Sequence, residues 1–367
     1  MPCDGLSTRP EVPVSHASSP ALGEIPRRVP GVRRSGASAA APDSELGRRN
    51  RDESRHAGAV RAAVVPRHGP AEVIEVRDDW PEPDPPGPGE VLVAVQAAGL
   101  NPSDAKIRAG GGRLGGVELP YVSGREAAGR VVEVGPGVDS LEPGQEVFAF
   151  FGWGARPGGH TERLVVAASA LALSPLGVPV NEAAGLPLAG LTALQGLEAL
   201  GARAGERVLV TSGSGGVGHL GVQIAVALGL EVIATSGPAN LGFVRGLGAA
   251  EVLDYRDEDH RRRLRGIPYL LDSVGAGNIG SYLSCLSTGA KVAAVAGVPS
   301  EVPDGITVTP IRCEASSARL TRLSQLMTER RLSVTVQQVF PLEQAADAHR
   351  LLEGGHVRGK LVIAIGA

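Results

Sequence analysis

Apolar and polar positions follow three successive patterns along the chain. From Val60 to about Pro179 the apolar residues come in short runs, VRAAVV, EVLVAVQAAGL, AGRVVEVG and QEVFAFF, rich in Val and Phe and bounded by Gly and Pro. Such runs predict short strands, and their spacing predicts a small barrel-like β domain. Within it PEPDPPGPGE, Pro81 to Glu90, reads as a turn-rich connection. After Asn181 the period lengthens, and NEAAGLPLAGLTALQGLEAL predicts helical stretches interrupted at Pro187 and Gly190. Strand and helix patterns then alternate. RVLVT predicts a strand and VGHLGVQIAVAL a helix, with Val217, Leu220, Gly221, Ile224 and Leu228 on one face and a stop at Gly229. EVIAT, AEVLDY, YLLDSVG, KVAAVAG and GITVTPI predict five further strands, with a helix over ANLGFVRGLGA between the first two. Six strands with helical connections predict an α/β class and a doubly wound parallel sheet. The last fifty residues predict a helix around SSARLTRLSQLMTERRL, then strands near VTVQQVF and KLVIAIG with AADAHRLLEGG between them.

The segment Met1 to Ala59 stands apart. It is built of Pro, Ser, Gly, Ala and Arg with almost no aromatic or β-branched clusters. A chain of that kind cannot bury enough apolar surface to offset its ordering entropy, so a disordered leader is expected. RRVPGVRRSG and GRRNRDESR have the character of a basic targeting arm, but Glu24, Asp43, Glu45, Asp52 and Glu53 dilute it.

Composition narrows the class. The formal net charge is −3 over 367 residues, which gives no nucleic-acid footprint. Cys3, Cys285 and Cys313 have no paired spacing, against both a disulfide framework and a CxxC-type zinc lobe. No apolar run approaches the ~20 residues of a membrane helix, and no signal-peptide core is visible, so a cytoplasmic protein without a membrane partner is expected. Lysine occurs only at Lys106, Lys291 and Lys360; Arg carries the rest of the positive charge, and with abundant Ala, Gly and Pro this is the usage of a GC-rich genome.

One stretch carries chemistry. In TSGSGGVGHLG, the residues Gly213-Ser214-Gly215-Gly216-Val217-Gly218 fit G-x-G-x-x-G. The motif follows a predicted strand and opens a predicted helix, which is the context that makes it a pyrophosphate cradle. Glycine supplies positive φ and close backbone approach, and the helix N-terminus supplies unpaired N–H groups and partial positive charge. At the end of the second strand, where an NAD site carries Asp or Glu, the chain reads Thr235-Ser236-Gly237-Pro238. No acid is there to repel a 2′-phosphate and no Arg or Lys to attract one, so NADPH is favoured over NADH on the missing acid alone.

AAGLNPSDAKIRAG, LPYVSGREAAGRVVEVGPGV, GGHTERLVV, EAAGLPLAGLTALQGL, VLVTSGSGGVGHLGVQIA, LGAAEVLDY, DSVG and GHVRGKLV occur in an order and spacing that resemble the zinc-independent quinone-oxidoreductase branch of the medium-chain dehydrogenase/reductase superfamily, which includes the zeta-crystallin-like proteins. The similarity runs from Arg61 to the C-terminus. It implies a GroES-like catalytic domain over residues 60–180, a Rossmann NADP-binding domain over 181–315, a segment 316–367 returning to the first domain, a cofactor in the cleft between them, and a homodimer. Family members often begin with Met where this chain has Val60, followed by the same R-A-A-V pattern. A GTG start codon read internally as Val would make Val60 the first residue and residues 1–59 an over-extended leader.

The resemblance also assigns roles. The zinc-dependent relatives carry Cys where this chain has Asn101 and His where it has Arg125; Glu126 remains from the pattern. Arg cannot replace a neutral imidazole as a ligand and Asn is a poor zinc donor, so no metal is expected. His160, His68 and His356 are read as loop residues. For the cofactor, Thr192 is expected at the nicotinamide amide, Ser214, Gly215, Gly216, Val217 and Gly218 at the pyrophosphate, Ser236 and Asn240 at the adenosine phosphate, Tyr255 beside the adenine, Ala296 and Gly297 behind the nicotinamide, and Ile311 to Cys313 on the last contact strand.

In the reaction so implied, hydride reaches the β carbon of an enone, or a quinone, and negative charge develops on oxygen. A donor aimed at that oxygen stabilises the transition state selectively. Asn101, Ser103, Lys106 and Arg108 of NPSDAKIRAG are the candidate donors, with Asn101 and Lys106 taken as catalytic; Asp104 reads as a cap for the turn after Pro102. Many relatives carry Tyr where Lys106 stands. Lys106 has an alternative reading, a bond to the nicotinamide ribose or a solvent-facing position. Three functions remain open: an NADPH-dependent reductase of quinones or enones, an enoyl-reductase or tailoring enzyme of secondary metabolism, and a non-enzymatic NADPH-binding protein. The loops AGGGRLGGVELP and FFGWGARPGG are Gly-rich and carry little substrate identity.

Overall fold

The computed structural model describes residues 58–111, 117–153, 158–257 and 259–366. The expected leader falls outside them except for its last two residues, and so do the centres of the two Gly-rich pocket loops.

The N-terminal strands are β1 (Ala59–Val65), β2 (Glu75–Pro81), β3 (Glu90–Leu100), β4 (Tyr121–Val122), β5 (Glu126–Val134), β6 (Glu146–Phe150), β7 (Arg163–Ala167) and β8 (Leu171–Leu173), with α1 (Pro102–Arg108) between β3 and β4. β1 lies between β2 and β4 in a small sheet, while β3, β5, β6 and β8 run side by side in a larger one with β7 paired to β3. Alternation along β6 shows why these residues are strands. Val147 and Ala149 enter the core of this β domain, and Phe148 and Phe150 point the other way into the core shared with the following helices. One strand thus serves two cores and fixes the two halves against each other.

The helices α2 (Val180–Gly185) and α3 (Pro187–Leu200) follow. The break at Pro187 is as predicted, since proline has no N–H for the helix ladder and starts a new helix well. The interruption expected at Gly190 does not occur. α3 runs through it because tertiary packing overrides the intrinsic weakness of a helical glycine. A Cβ at Gly190 would stand 2.8 Å from Leu186 and 3.0 Å from Leu323, so the bare backbone admits those two leucines.

Next come β9 (Arg207–Val210), α4 (Gly216–Ala227), β10 (Glu231–Ser236), α5 (Leu241–Gly246), β11 (Glu251–Asp254), α6 (His260–Arg263), β12 (Ile267–Asp272), α7 (Ala276–Tyr282), β13 (Leu286–Ala294) and β14 (Thr307–Pro310). Their six strands are all parallel, in the spatial order β11-β10-β9-β12-β13-β14. That is the doubly wound Rossmann order, with the reversal of direction beside β9, where a crevice opens at the carboxyl ends of the strands. Gly229, at φ +80°, ends the turn after α4 as the pattern predicted.

The chain closes with α8 (Ser317–Thr328), β15 (Val336–Pro341), α9 (Ala345–Glu353) and β16 (Lys360–Ala364). β16 runs antiparallel to β3, with Leu361 opposite Leu100, and parallel to β15. The last segment therefore completes the larger N-terminal sheet and carries the residues before β16 across to the parallel sheet.

Candidate active site

The glycine-rich turn joins the end of β9 to the start of α4. Gly213 N–H donates to Thr235 O at 2.7 Å, tying the turn to β10. A Cβ at Gly218 would lie 1.9 Å from Ser212 O, so the turn folds back on the helix only around a glycine. At Gly216 a Cβ would make ordinary contacts with Gly359 O at 3.5 Å and Lys360 Cδ at 3.6 Å. Its glycine is therefore not needed to close the fold. Gly215 sits extended before the first turn of α4 with no side-chain cap, which leaves helix N–H groups for an anion. Val217 packs half-buried on the shared core. His219, one turn on, accepts from Thr335 N–H through Nε2 (3.3 Å), so its Nδ1–H donates to Gly215 O (2.8 Å). Burial holds its pKa down at about 4, keeping it in that neutral form.

Beside the turn lies a cavity of about 980 Å³ whose lining includes Ser214, Ser236, Asn240, Tyr255, Arg256 and Arg358 and, among the described residues, no carboxylate. Ser236 Oγ donates to Ser214 Oγ at 3.0 Å, and Arg358 Nε donates to Asn240 Oδ1 at 2.6 Å. The Arg358 guanidinium lies 5.3 Å from the centre of the Phe243 ring, and that of Arg256 lies 5.7 Å from the centre of the Tyr255 ring. The sequence offers no cation at the end of β10. The fold supplies two, Arg256 from the end of β11 and Arg358 from just before β16. The only hint in the sequence was the basic GHVRGK run ahead of the last strand.

The residues expected around the nicotinamide lie outside that cavity. Thr192 Oγ1 donates to Leu188 O at 2.6 Å, and the Cys313 thiol lies 3.8 Å from the same oxygen. Burial pushes the Cys313 thiol up to about 12, which favours its protonated form. Ile311 N–H donates to Ala294 O at 2.8 Å, in line with β13 and β14. Ala296 and Gly297 are exposed beyond the end of β13, and a Cβ on the neighbouring Gly275 would lie 3.3 Å from Ala296 O. Asp272 ties this loop to the turn after β9, accepting from Thr211 Oγ1 (2.7 Å) and Gly275 N–H (2.8 Å).

Asn101 and Lys106 both belong to the α1 region but face different surroundings. Asn101 precedes α1, and its backbone N–H donates to Asp104 Oδ2 at 2.9 Å, the capping role expected of Asp104. The Asn101 side chain is buried, donating to Glu126 Oε1 (2.6 Å) and accepting from Lys360 Nζ (2.5 Å). Its carbonyl and one N–H are committed inside the protein, which leaves at most its second N–H for a ligand. Lys106 is exposed in the last turn of α1. Arg108 is buried, bonded to Gly69 O, His349 Nδ1 and Glu353. Burial, with the Glu126 charge adding to it, raises the Asp104 carboxyl to about 7. His160 lies in the connection between β6 and β7, as expected, and is fully buried there, 6.2 Å ring to ring from His349.

The donor set around Asn101 does not fit zinc. Glu126 is engaged by Asn101 and Lys360 at Oε1 and by Leu188 N–H at Oε2 (2.6 Å), and Arg125 Nη1 donates to Gly152 O. Among the described residues no three of His, Cys, Asp and Glu are grouped to hold a metal ion.

The family described as alcohol dehydrogenase GroES-like domain matches residues 87–176, and the one described as zinc-binding dehydrogenase matches residues 247–363. The NADPH-dependent alkenal/one oxidoreductase of Arabidopsis thaliana chloroplasts is 33% identical over 313 residues, covering 83% of this chain and 79% of the relative. The quinone oxidoreductase of Coxiella burnetii superposes with a TM-score of 0.77 at 30% identity, over 84% of this chain and 99% of its own. The Escherichia coli quinone oxidoreductase, solved with NADPH, superposes with a TM-score of 0.73 at 27% identity, over 83% and 99%.

Proposed function

The chain belongs to the quinone-oxidoreductase branch of the medium-chain dehydrogenase/reductase superfamily, and from that premise we propose that it reduces quinones or α,β-unsaturated carbonyls with NADPH and without zinc. The observation that carries the cofactor choice is the acid-free cavity beside Ser236, with Arg256 and Arg358 on its wall. A carboxylate there would repel a 2′-phosphate; two guanidiniums attract it and can bind it in a fork geometry.

NADPH, when bound, supplies a hydride to an electrophilic carbon. The chain's own residues do the rest. The glycine-rich turn and the N–H groups opening α4 would seat the pyrophosphate. Ser236, Asn240, Arg256 and Arg358 would receive the adenosine phosphate, with Tyr255 on the adenine side. Thr192 would serve the nicotinamide amide, Ala296 and Gly297 would back the nicotinamide, and Ile311 and Cys313 would lie on the last contact strand. The Lys106 ammonium, exposed in the last turn of α1, would serve the oxygen on which negative charge develops, and Asn101 would position the helix that carries it.

Further features belong to the same proposal. Residues 60–180 and 316–367 form the catalytic domain and 181–315 the NADP-binding domain. The protein is cytoplasmic; among the described residues no helix is long and apolar enough to cross a membrane. Two copies pair, in keeping with β14 lying at the outer edge of the parallel sheet.

The test is a rate screen following NADPH oxidation with quinones, 2-alkenals and enoyl thioesters. Turnover of quinones or 2-alkenals that survives a zinc chelator is expected. Turnover confined to enoyl thioesters would favour a biosynthetic enoyl reductase, and tight binding with no turnover a non-enzymatic role.

A further inference from the structure

Lys360 is one of three lysines in an arginine-dominated chain, and it is 3% exposed at the first position of β16. A buried ammonium is tolerated only where acceptors surround it. Three oxygens do so: Asn101 Oδ1 at 2.5 Å, Glu126 Oε1 at 3.0 Å and Leu100 O at 3.1 Å.

The backbone that delivers this side chain is pinned to the glycine-rich turn. Gly359 N–H donates to Ser214 O at 2.8 Å, and Lys360 N–H donates to Thr335 O at 2.8 Å. Gly359 sits at φ +70°, and a Cβ there would lie 2.1 Å from Thr335 O, so only glycine makes the corner that sends the next side chain inward. The Lys360 stem then passes under the turn, with Cδ 3.6 Å from where a Cβ of Gly216 would be.

On the far side, the three groups around the ammonium lead to two helices. Asn101 caps α1, the helix of Lys106. Glu126 spans Lys360 and α3: its Oε1 accepts from Lys360 and its Oε2 accepts from Leu188 N–H in the first turn of α3. Leu188 O in turn accepts from Thr192. A carboxylate at that helix N-terminus is favourable on its own account. Gly99 makes room for it, since a Cβ there would stand 2.1 Å from Glu126 Oε1.

We propose that Lys360 is a positioning residue that transmits occupancy of the pyrophosphate turn to the N-termini of α1 and α3, so that seating the dinucleotide sets Lys106 and Thr192 in place. The inference rests on dinucleotide binding at that turn. The path is continuous: Ser214 holds Gly359, Gly359 aims Lys360, and Lys360 holds Asn101 and Glu126. The joint from Ser214 to Gly359 is a backbone hydrogen bond, and the buried bonds of Lys360 to Asn101 and Glu126 are charge-assisted and directional.

Hydrogen exchange on the full chain with and without NADPH tests it. In the wild type NADPH slows exchange at the turn, in α1 and at the Leu188 amide, each at least fivefold. The variant Lys360→Met with Glu126→Gln removes both buried charges together, so neither is left stranded. In it, protection persists at the turn but falls below twofold in α1 and at Leu188. The NADPH Kd changes less than threefold while kcat drops at least tenfold. Unchanged α1 protection in the double variant overturns the proposal. So does a wild type that binds NADPH with no protection of α1, a result that needs no variant to fold. A wild type that fails to bind NADPH at all overturns the cofactor assignment and this inference together, and a direct titration identifies that outcome.

Discussion

Arg358 Nε donates to the Asn240 side-chain oxygen across 2.6 Å, although 118 residues separate the two in sequence. The bond holds a guanidinium at the rim of the cavity next to Ser236. Replacing Arg358 with Ala should weaken NADPH binding about ten- to a hundredfold, the loss of about 1.5–3 kcal/mol expected for a hydrogen bond to a charged group. NADH affinity should stay within threefold. Calorimetric titration with both nucleotides checks this, and equal losses for the two would place Arg358 away from the 2′-phosphate.

The glycines of the turn should differ in kind. Gly218→Ala puts a Cβ 1.9 Å from Ser212 O and forces the turn open, so both the melting temperature and NADPH binding should fall. Gly216→Ala meets only Gly359 O at 3.5 Å and Lys360 Cδ at 3.6 Å, so it should fold with an unchanged melting temperature and bind NADPH within threefold of the wild type. Thermal melts run beside NADPH titrations separate the two. A Gly216→Ala protein that melts normally yet binds NADPH at least tenfold more weakly would mean that the pyrophosphate approaches that backbone.

Asp104 and the buried histidines give stability a pH dependence of known direction. Burial holds His160 and His219 at about 4 and His349 at about 2. The unfolded chain therefore takes up these protons first, and stability falls as the pH drops below the ordinary histidine value of about 6.5. Asp104 acts oppositely. Raised to about 7, it stays protonated in the folded chain after the unfolded chain has released the proton near 3.8, so its contribution is lost as pH rises through 7. Asp104→Asn keeps an acceptor for Asn101 N–H and removes the charge. It should stabilise the protein by about 2–4 kcal/mol at pH 8 and hardly at all at pH 4. Denaturant melts of both proteins at the two pH values measure the difference, and a gain that does not depend on pH would contradict the assignment.

Lys106 carries the kinetic prediction. An ammonium about 4 Å from a developing enolate gains roughly 4 kcal/mol at an effective dielectric near 20. Lost hydration offsets part of that, leaving ~1–3 kcal/mol. Lys106→Met should therefore lower kcat about ten- to a hundredfold with little change in NADPH Kd. A weaker Kd with kcat intact would assign the lysine to the ribose, and no change in either would remove it from the site.

Much of this architecture was legible in the chain because it is local. The switch from short Val-rich runs to strand–helix alternation, and the G-x-G-x-x-G at one such junction, predicted the six-stranded sheet and the glycine-rich turn from β9 into α4. The unbroken course of α3 through Gly190 was not legible, since it depends on Leu323 arriving from α8. Arg256 and Arg358 escaped notice for the same reason: no window around Ser236 contains them, and only β-sheet order and the return of the last segment bring them there. The Asn101–Glu126–Lys360 cluster is the extreme case, joining residues 234 and 259 positions apart in buried contact. Sequence reasoning saw the polar residue types at 101 and 126 but had no means to pair them with a lysine beyond the parallel sheet.

The central claim is that hydride passes to the alkene carbon of an enone rather than to its carbonyl carbon. It is tested most directly by turnover of a 2-alkenal with NADPH carrying deuterium at both nicotinamide C4 positions, followed by mass and NMR analysis of the product. The expected product is a saturated aldehyde with one deuterium on the β carbon. An allylic alcohol with deuterium on the former carbonyl carbon, or a saturated product without deuterium, would contradict it.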